Sequence, residues 1–230
     1  MTTVLITGAN RGIGLEFTAQ CLARGDRVIA TCRSLATAGV LQGMCNSKPE
    51  LTILELDAGD VGSIAALPHQ LKGEAVDIFI NNAGVYGPRD SAFGKVEAQQ
   101  WLDALQVNTI APLLLTQALI ENLRKGKDRK LLYLTSKMGS IADNGGGGHY
   151  VYRSTKTALN SVVKSLSVDL REEGFIPAVL HPGWVQTDMG GPNALIDTRT
   201  SVTGMLKVID GLDAKQAGGF FNYDGSTIPW

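Results

Sequence analysis

Short, continuously apolar runs alternate along the chain with longer segments that carry apolar residues at three- and four-residue spacing. The short runs, Thr3–Thr7, Arg27–Thr31, Leu51–Leu56, Val76–Ile80, Lys130–Leu134, Ile176–Leu180 and Gly219–Phe221, predict strands. Most are apolar throughout, as strands covered on both faces are. The longer segments predict helices over Gly12–Arg24, Leu35–Cys45, Val61–Leu71, Val96–Lys125, Tyr150–Glu173 and Val202–Ile209. In the fifth, Leu159, Val162, Val163, Leu166 and Leu170 form an apolar stripe facing a sheet. Val96–Lys125 is long enough for two helices, and Asn108 in its middle, close to Pro112, predicts a kink or break there.

Strands alternating with helices imply parallel strands joined by helical crossovers, hence an α/β fold with one doubly wound sheet of about seven strands. No internal repeat, Pro-rich linker or sustained charge run divides the 230 residues, so a single domain over 1–230 is expected. The one low-complexity patch, Gly145–Gly148, reads as a mobile loop beside the site.

Composition narrows the function classes. With 44% hydrophobic residues, 27 glycines and a net charge of -1, the chain is of globular type with many tight turns. It has no excess of basic charge to neutralise a phosphate backbone, so no nucleic-acid partner is expected. Cys21, Cys32 and Cys45 lack metal-ligand or disulfide-framework spacing and suit a reducing compartment. The N-terminus shows no basic n-region or cleavage site, and a cytoplasmic location is expected. Ile110–Ile120 is shorter than the roughly 20 residues that span a bilayer and contains Thr116 and Gln117, so no membrane partner is expected either.

The first strand runs into Thr7-Gly8-Ala9-Asn10-Arg11-Gly12-Ile13-Gly14, which opens a helix. Glycine permits positive φ and close backbone approach, and a helix N-terminus offers unpaired N–H groups to a pyrophosphate, so this reads as a dinucleotide-binding turn of Rossmann type. An acid at the end of the second strand would select NAD by bonding the ribose 2′-hydroxyl. The strand ends instead in Ala30-Thr31-Cys32-Arg33. Arg33, helped by Arg11, can pair with a 2′-phosphate, and NADP is the expected cofactor.

Tyr152 and Lys156 stand four residues apart and share a helix face. A cation near a phenol favours the phenolate and brings its proton transfer toward neutral pH. The spacing is common on amphipathic helices, so its weight comes from the surrounding motifs. His149 and His181 lack a carboxylate or second ligand at telling spacing and read as a loop and a strand-end histidine; no metal site is expected. Tyr86, Met138, Trp184 and Met189 fall on loops near the expected pocket and are candidate substrate contacts, whereas Trp101 and Trp230 are expected to pack.

Together these residues resemble the short-chain dehydrogenase/reductase family and, within it, C-factor and sniffer-type carbonyl reductases. The family's order is present across essentially the whole chain: Thr7–Gly14, Asn81-Asn82-Ala83-Gly84, Asn108, Ser136, Tyr152 with Lys156, and Pro182-Gly183 followed by Thr187. The narrower likeness rests on Ser136–Asn144 and on Gly219–Gly225 closed by Pro229-Trp230. The resemblance implies NADPH-dependent reduction of an aldehyde or ketone, with Tyr152 donating the proton and Ser136 bonding the carbonyl oxygen. It implies that Lys156 binds the nicotinamide ribose and lowers the pKa of Tyr152, and that Asn108 supports the proton relay. Asp57 would contact adenine, Asn82, Ala83 and Gly84 would line the cofactor, and Thr187 would hold its carboxamide end. The C-factor side raises an alternative, a dinucleotide-binding regulatory or signalling protein with little turnover. The family also implies a homodimer or homotetramer through the long helices. One departure stands out: Ser136 precedes Tyr152 by sixteen positions, more than the family's usual dozen or so, and Ser140 is nearer that count. Ser136 is preferred because it directly follows a strand, at whose carboxyl end sites in this fold form.

Overall fold

The computed structural model describes residues 1–230. Its strands are β1 (Thr3–Ile6), β2 (Arg27–Cys32), β3 (Leu51–Glu55), β4 (Ile78–Asn81), β5 (Lys130–Leu134), β6 (Ile176–His181) and β7 (Phe220–Asn222). They form one sheet in the order β3-β2-β1-β4-β5-β6-β7, and every pairing is parallel. The α/β doubly wound Rossmann-type fold expected from the apolar pattern is the observed one. The chain leaves β1 toward one edge and returns to β4 on its other side, so the switch in winding direction falls between β1 and β4. Parallel α/β sheets open a crevice at the carboxyl ends of the two strands flanking such a switch.

The helices are α1 (Gly12–Ala23), α2 (Gly39–Ser47), α3 (Val61–Leu71), α4 (Ala98–Leu105), α5 (Ala111–Arg124), α6 (Tyr150–Asp169) and α7 (Thr198–Gly211). Side chains alternate between the sheet's two faces, which accounts for two separate cores. Val4, Ile6, Val28, Ala30, Ile78, Ile80, Leu132 and Leu134 pack with Phe17 and Cys21 of α1 and Val202 and Met205 of α7. Leu5, Ile29, Phe79, Leu131 and Tyr133 pack on the other side with Ile64 of α3, Leu115 and Leu119 of α5, and Leu159 and Val163 of α6. Phe79 and Tyr133 are completely buried and meet edge to face, with centroids 6.0 Å apart. Each such side chain contributes roughly 1.5–3 kcal/mol by leaving water.

Several boundaries differ from the sequence reading for identifiable reasons. The break predicted near Asn108 is a π-helical turn, Gln106–Ile110, joining α4 to α5, with Pro112 in the first turn of α5 where the hydrogen-bonding pattern changes. The second helix begins with a separate 3-10 turn, Leu35–Thr37, whose Leu35 N–H is taken by the Glu55 carboxylate at 3.0 Å. The Val76 and Asp77 positions precede β4, and the Asp77 carboxylate accepts the N–H groups of Thr3 and Lys127, each at 2.7 Å. The last helix starts four residues earlier than predicted, since Asp197 caps it by accepting from Thr200 N at 2.7 Å. In turn α6 ends at Asp169, short of Glu173, and the turn that follows closes at Gly174 with φ 75°. No helix is long and apolar enough to cross a membrane.

Candidate active site

At the carboxyl end of β1 the backbone turns through Gly8 (φ 65°) and Gly12 (φ 54°) into α1. Gly14 is a matter of space rather than torsion: a Cβ there would stand 2.3 Å from the Gly8 carbonyl oxygen. The loop is pinned from β4, where Asn82 Nδ2 donates to the carbonyls of Thr7 (2.8 Å) and Gly8 (3.0 Å) while Ala83 N donates to Thr7 Oγ1 (3.0 Å). No side chain caps α1, so its first-turn N–H groups have no internal side-chain acceptor. An uncapped N-terminus behind a close-packed glycine turn is a cradle that suits a diphosphate.

The cradle opens into a cleft of about 940 Å³. Of the sixteen residues expected to hold the dinucleotide, all line it except Gly14 and Gly183, which shape it from behind. Gly183 (φ 85°) is held between Ile196 and Tyr223. Arg33 is exposed at the cleft and makes no ion pair or hydrogen bond to the protein. Arg11 lines the same cleft, where its guanidinium pairs with Asp188 at 2.7 Å. Asp57 accepts from Gly59 N at 2.8 Å, and Thr187 lies against Gly12, where its Cγ2 would stand 3.3 Å from an added Cβ.

Deeper in, α6 brings Tyr152 and Lys156 to the end of β5. Both are buried. Burial pushes the Tyr152 phenol up to about 12; the Ser136 hydroxyl works the other way, and Tyr86 adds to the rise. Burial likewise pushes Lys156 down to about 8. Its ammonium donates to the Leu134 carbonyl at 2.9 Å and lies 5.9 Å from the Tyr152 ring centroid. The expected lowering of the Tyr152 pKa by Lys156 is thus not found: desolvation dominates, and the ammonium is directed at a backbone carbonyl. Ser136 caps a 3-10 turn, Lys137–Gly139, by accepting from Met138 N at 3.1 Å, and its hydroxyl is the serine hydroxyl that reaches Tyr152. Ser140 closes a local turn by accepting from Asp143 N.

Asn108 sits in the π-helical turn, completely buried. Its Oδ1 accepts from Val85 N at 2.9 Å, while Nδ2 donates to Val85 O (2.8 Å) and Thr155 Oγ1 (3.0 Å). A Cβ on Gly84 would lie 3.1 Å from Asn108 Oδ1 and 3.4 Å from Lys156 Nζ, so Gly84 lets these groups converge. Widening one helical turn is how the chain aims Asn108 at the loop after β4.

The outer rim holds the remaining candidates. Tyr86 stacks on Tyr152, with centroids 4.5 Å apart and planes 22° from parallel. Its hydroxyl lies 3.2 Å from His149 Nδ1, and Arg89 stands over its ring at 5.7 Å. Met138 is half-buried; Trp184 and Met189 are more exposed, and Trp184 Nε1 donates to Gly190 O at 2.8 Å. Sequence reading missed Thr155, Arg89 and the His149–Tyr86 contact, because each depends on a long-range neighbour. His149 does carry one local mark, a left-handed backbone (φ 49°) just before α6. His181 is set into the end of β6 with Nδ1 unpartnered, and burial holds it down at about 4. Trp230 lies against Phe220 and Trp101 Nε1 donates to Ser154 Oγ at 2.8 Å, but both indoles remain more than a third exposed, short of the full packing expected.

Residues 2–195 match the family model for short chain dehydrogenase. The chain belongs to the short-chain dehydrogenase family. It is therefore a member of an oxidoreductase family, and its likenesses within it are specific. The C-signal protein of Myxococcus xanthus is 50% identical over 155 residues, covering 67% of this chain and 93% of its own. Carbonyl reductase Sniffer of D. melanogaster superposes with a TM-score of 0.94 at 36% identity, covering 100% of both chains. The NADPH-bound carbonyl reductase from chicken fatty liver gives a TM-score of 0.93 at 36% identity, over 100% of this short-chain dehydrogenase and 99% of that chain.

Proposed function

We propose that this single-domain protein is an NADPH-dependent carbonyl reductase acting on an aldehyde or ketone. The observation that carries the reading is the buried Tyr152 phenol, with Ser136 reaching it, Lys156 over its ring and the glycine cradle in the same cleft. The residues fit the cofactor: the uncapped Gly8–Gly14 turn would take the pyrophosphate and the free Arg33 guanidinium the 2′-phosphate. Asp57 would contact adenine, Lys156 the nicotinamide ribose, and Thr187 the carboxamide end. The chemistry supplied on NADPH binding is hydride transfer to the carbonyl carbon.

A phenol pushed up to about 12 stays protonated throughout neutral pH, which is the state a proton donor needs. Tyr152 gives its proton to the carbonyl oxygen, completing the alcohol, while Ser136 donates a hydrogen bond to that oxygen and fixes its position. The phenolate left on Tyr152 is stabilised by the Lys156 ammonium in a site where burial strengthens the attraction. Asn108 holds the loop after β4 and, through Thr155, the helix carrying both groups; this positions the relay that returns the proton.

The C-signal likeness favours a second reading, a regulatory or signalling protein that binds the dinucleotide with little turnover. A panel of aldehydes and ketones with NADPH separates the two: turnover of a panel member supports the reductase, and tight NADPH binding without turnover of any supports the alternative. Assembly as a homodimer or homotetramer is part of the proposal, supported by exposed Trp101, Leu102 and Ile110 on the α4–α5 side. Light scattering showing only monomer would contradict that part.

A further inference from the structure

The rim beside Tyr152 carries positive charge that the protein does not neutralise. Arg89 uses only Nη2, donating to the Asp188 carbonyl at 3.2 Å; Arg153 uses Nε and Nη1, donating to the carbonyls of Gly147 and Met138, each at 3.3 Å. Neither pairs with a carboxylate. The acids near them are already engaged: Asp188 by Arg11 at 2.7 Å, Asp90 by Lys95 at 2.6 Å and Asp143 by Lys137 at 3.3 Å. Arg89 reaches the Tyr86 ring directly, whereas Arg153 is tied to the Gly147 and Met138 side of the rim. Arg89 stands 5.7 Å from the Tyr86 ring centroid, both arginines act electrostatically on the Tyr86 hydroxyl, and the ring stacks on Tyr152. Arg153 also follows Tyr152 directly on α6, so its backbone is fixed to the candidate proton donor.

A planar guanidinium with free N–H groups is matched to a carboxylate, and two of them on one rim, neither paired with an acid, leave a place for it. The bonds to backbone carbonyls hold each fork in position without cancelling its charge. We infer that the carbonyl substrate carries a carboxylate, held by Arg89 and Arg153 beside Tyr86 while its carbonyl lies at Tyr152. This inference rests on the carbonyl-reductase reading and narrows its substrate class.

The test compares 3- and 4-formylbenzoate with their neutral methyl esters in NADPH-consumption assays. The acids are expected to exceed the esters in kcat/KM by about tenfold or more, chiefly through KM. That preference should shrink as salt rises from about 0.05 M to about 0.5 M, because the site is open to solvent. Arg89→Gln should reduce the acid-to-ester ratio, and Arg89→Gln with Arg153→Gln should bring it near one. The single variant lies on an exposed loop and keeps the test informative should loss of the Arg153 bonds unfold the double variant. Esters reduced as readily as acids, or an unchanged ratio in Arg89→Gln, would overturn the inference while leaving carbonyl reduction intact. Failure to turn over any aldehyde would instead count against the reductase reading. In that case calorimetric titration of NADP-saturated protein with 4-(hydroxymethyl)benzoate and its methyl ester decides the anion site: tighter carboxylate binding that Arg89→Gln weakens supports it, and equal binding overturns it.

Discussion

The glycine-turn end of the cleft is shaped by backbone, whereas the Tyr86 end is shaped by side chains carried on loops. At the first, Gly8 and Gly12 turn the backbone through positive φ, Gly14 packs so closely on the Gly8 carbonyl that a single methyl group has no room, and Asn82 ties the turn to the end of β4. At the second, Tyr86, His149 and Arg89 meet through rings and single hydrogen bonds, with several of them exposed. Tyr152 and Lys156 stand between, anchored in α6 but reached from both ends. A backbone cradle fixes a ligand that must always be the same; a rim of side chains can change its preference without disturbing that cradle.

The comparison is tested most severely at its midpoint. Tyr152→Phe is expected to lower kcat about 10²–10⁴-fold while leaving NADPH affinity nearly unchanged, as measured by NADPH consumption and fluorescence titration. Lys156 holds its charge only below about 8, so the reduction rate should decline as pH rises through that value. A pH profile that stays flat to pH 10 would remove Lys156 from the account.

At the cradle, Gly14→Ala should cost about 1–3 kcal/mol in denaturant unfolding and sharply weaken NADPH binding, because its Cβ would meet a backbone oxygen. Gly146→Ala, where nothing lies within 4 Å of an added Cβ, should be nearly neutral. Similar losses at both positions would erase the contrast between the two regions.

Arg33→Ala should weaken NADPH about tenfold and leave NADH nearly unaffected, since one charge-assisted contact is removed from the 2′-phosphate alone. Parallel losses with both cofactors would argue against that assignment. The smallest effect concerns His181, held down at about 4 by burial. The unfolded chain binds its proton near 6.5, so between those values the unfolded state holds more protons and stability falls as pH is lowered. His181→Phe should flatten that acid slope, read from unfolding midpoints at pH 7 and pH 4.5.

The difference between the regions also explains what the sequence made legible. Continuous apolar strands, the Gly8–Gly14 turn and the four-residue spacing of Tyr152 and Lys156 are local, and each appears where its pattern predicts. Asn108 announced a break but not its form, because a π-helical turn is set by the partners Val85 and Thr155, both distant in sequence. The direction of the Tyr152 shift was misread, since spacing reveals a nearby cation but not the burial that outweighs it. The Arg11 ion pair is hidden for a similar reason: its partner Asp188 lies 177 positions away. The substrate rim was the least legible part, being assembled from loops after β4, β5 and β6.

The central claim is hydride delivery to a carbonyl carbon at Tyr152, and isotope transfer tests it most directly. Protein incubated with NADPH bearing deuterium at the transferable position and a reducible aldehyde should yield an alcohol one mass unit heavier by mass spectrometry, with formation of the labelled product suppressed in Tyr152→Phe. Tight binding of the labelled cofactor with no deuterium in any alcohol, or label transfer undiminished in Tyr152→Phe, would contradict the account.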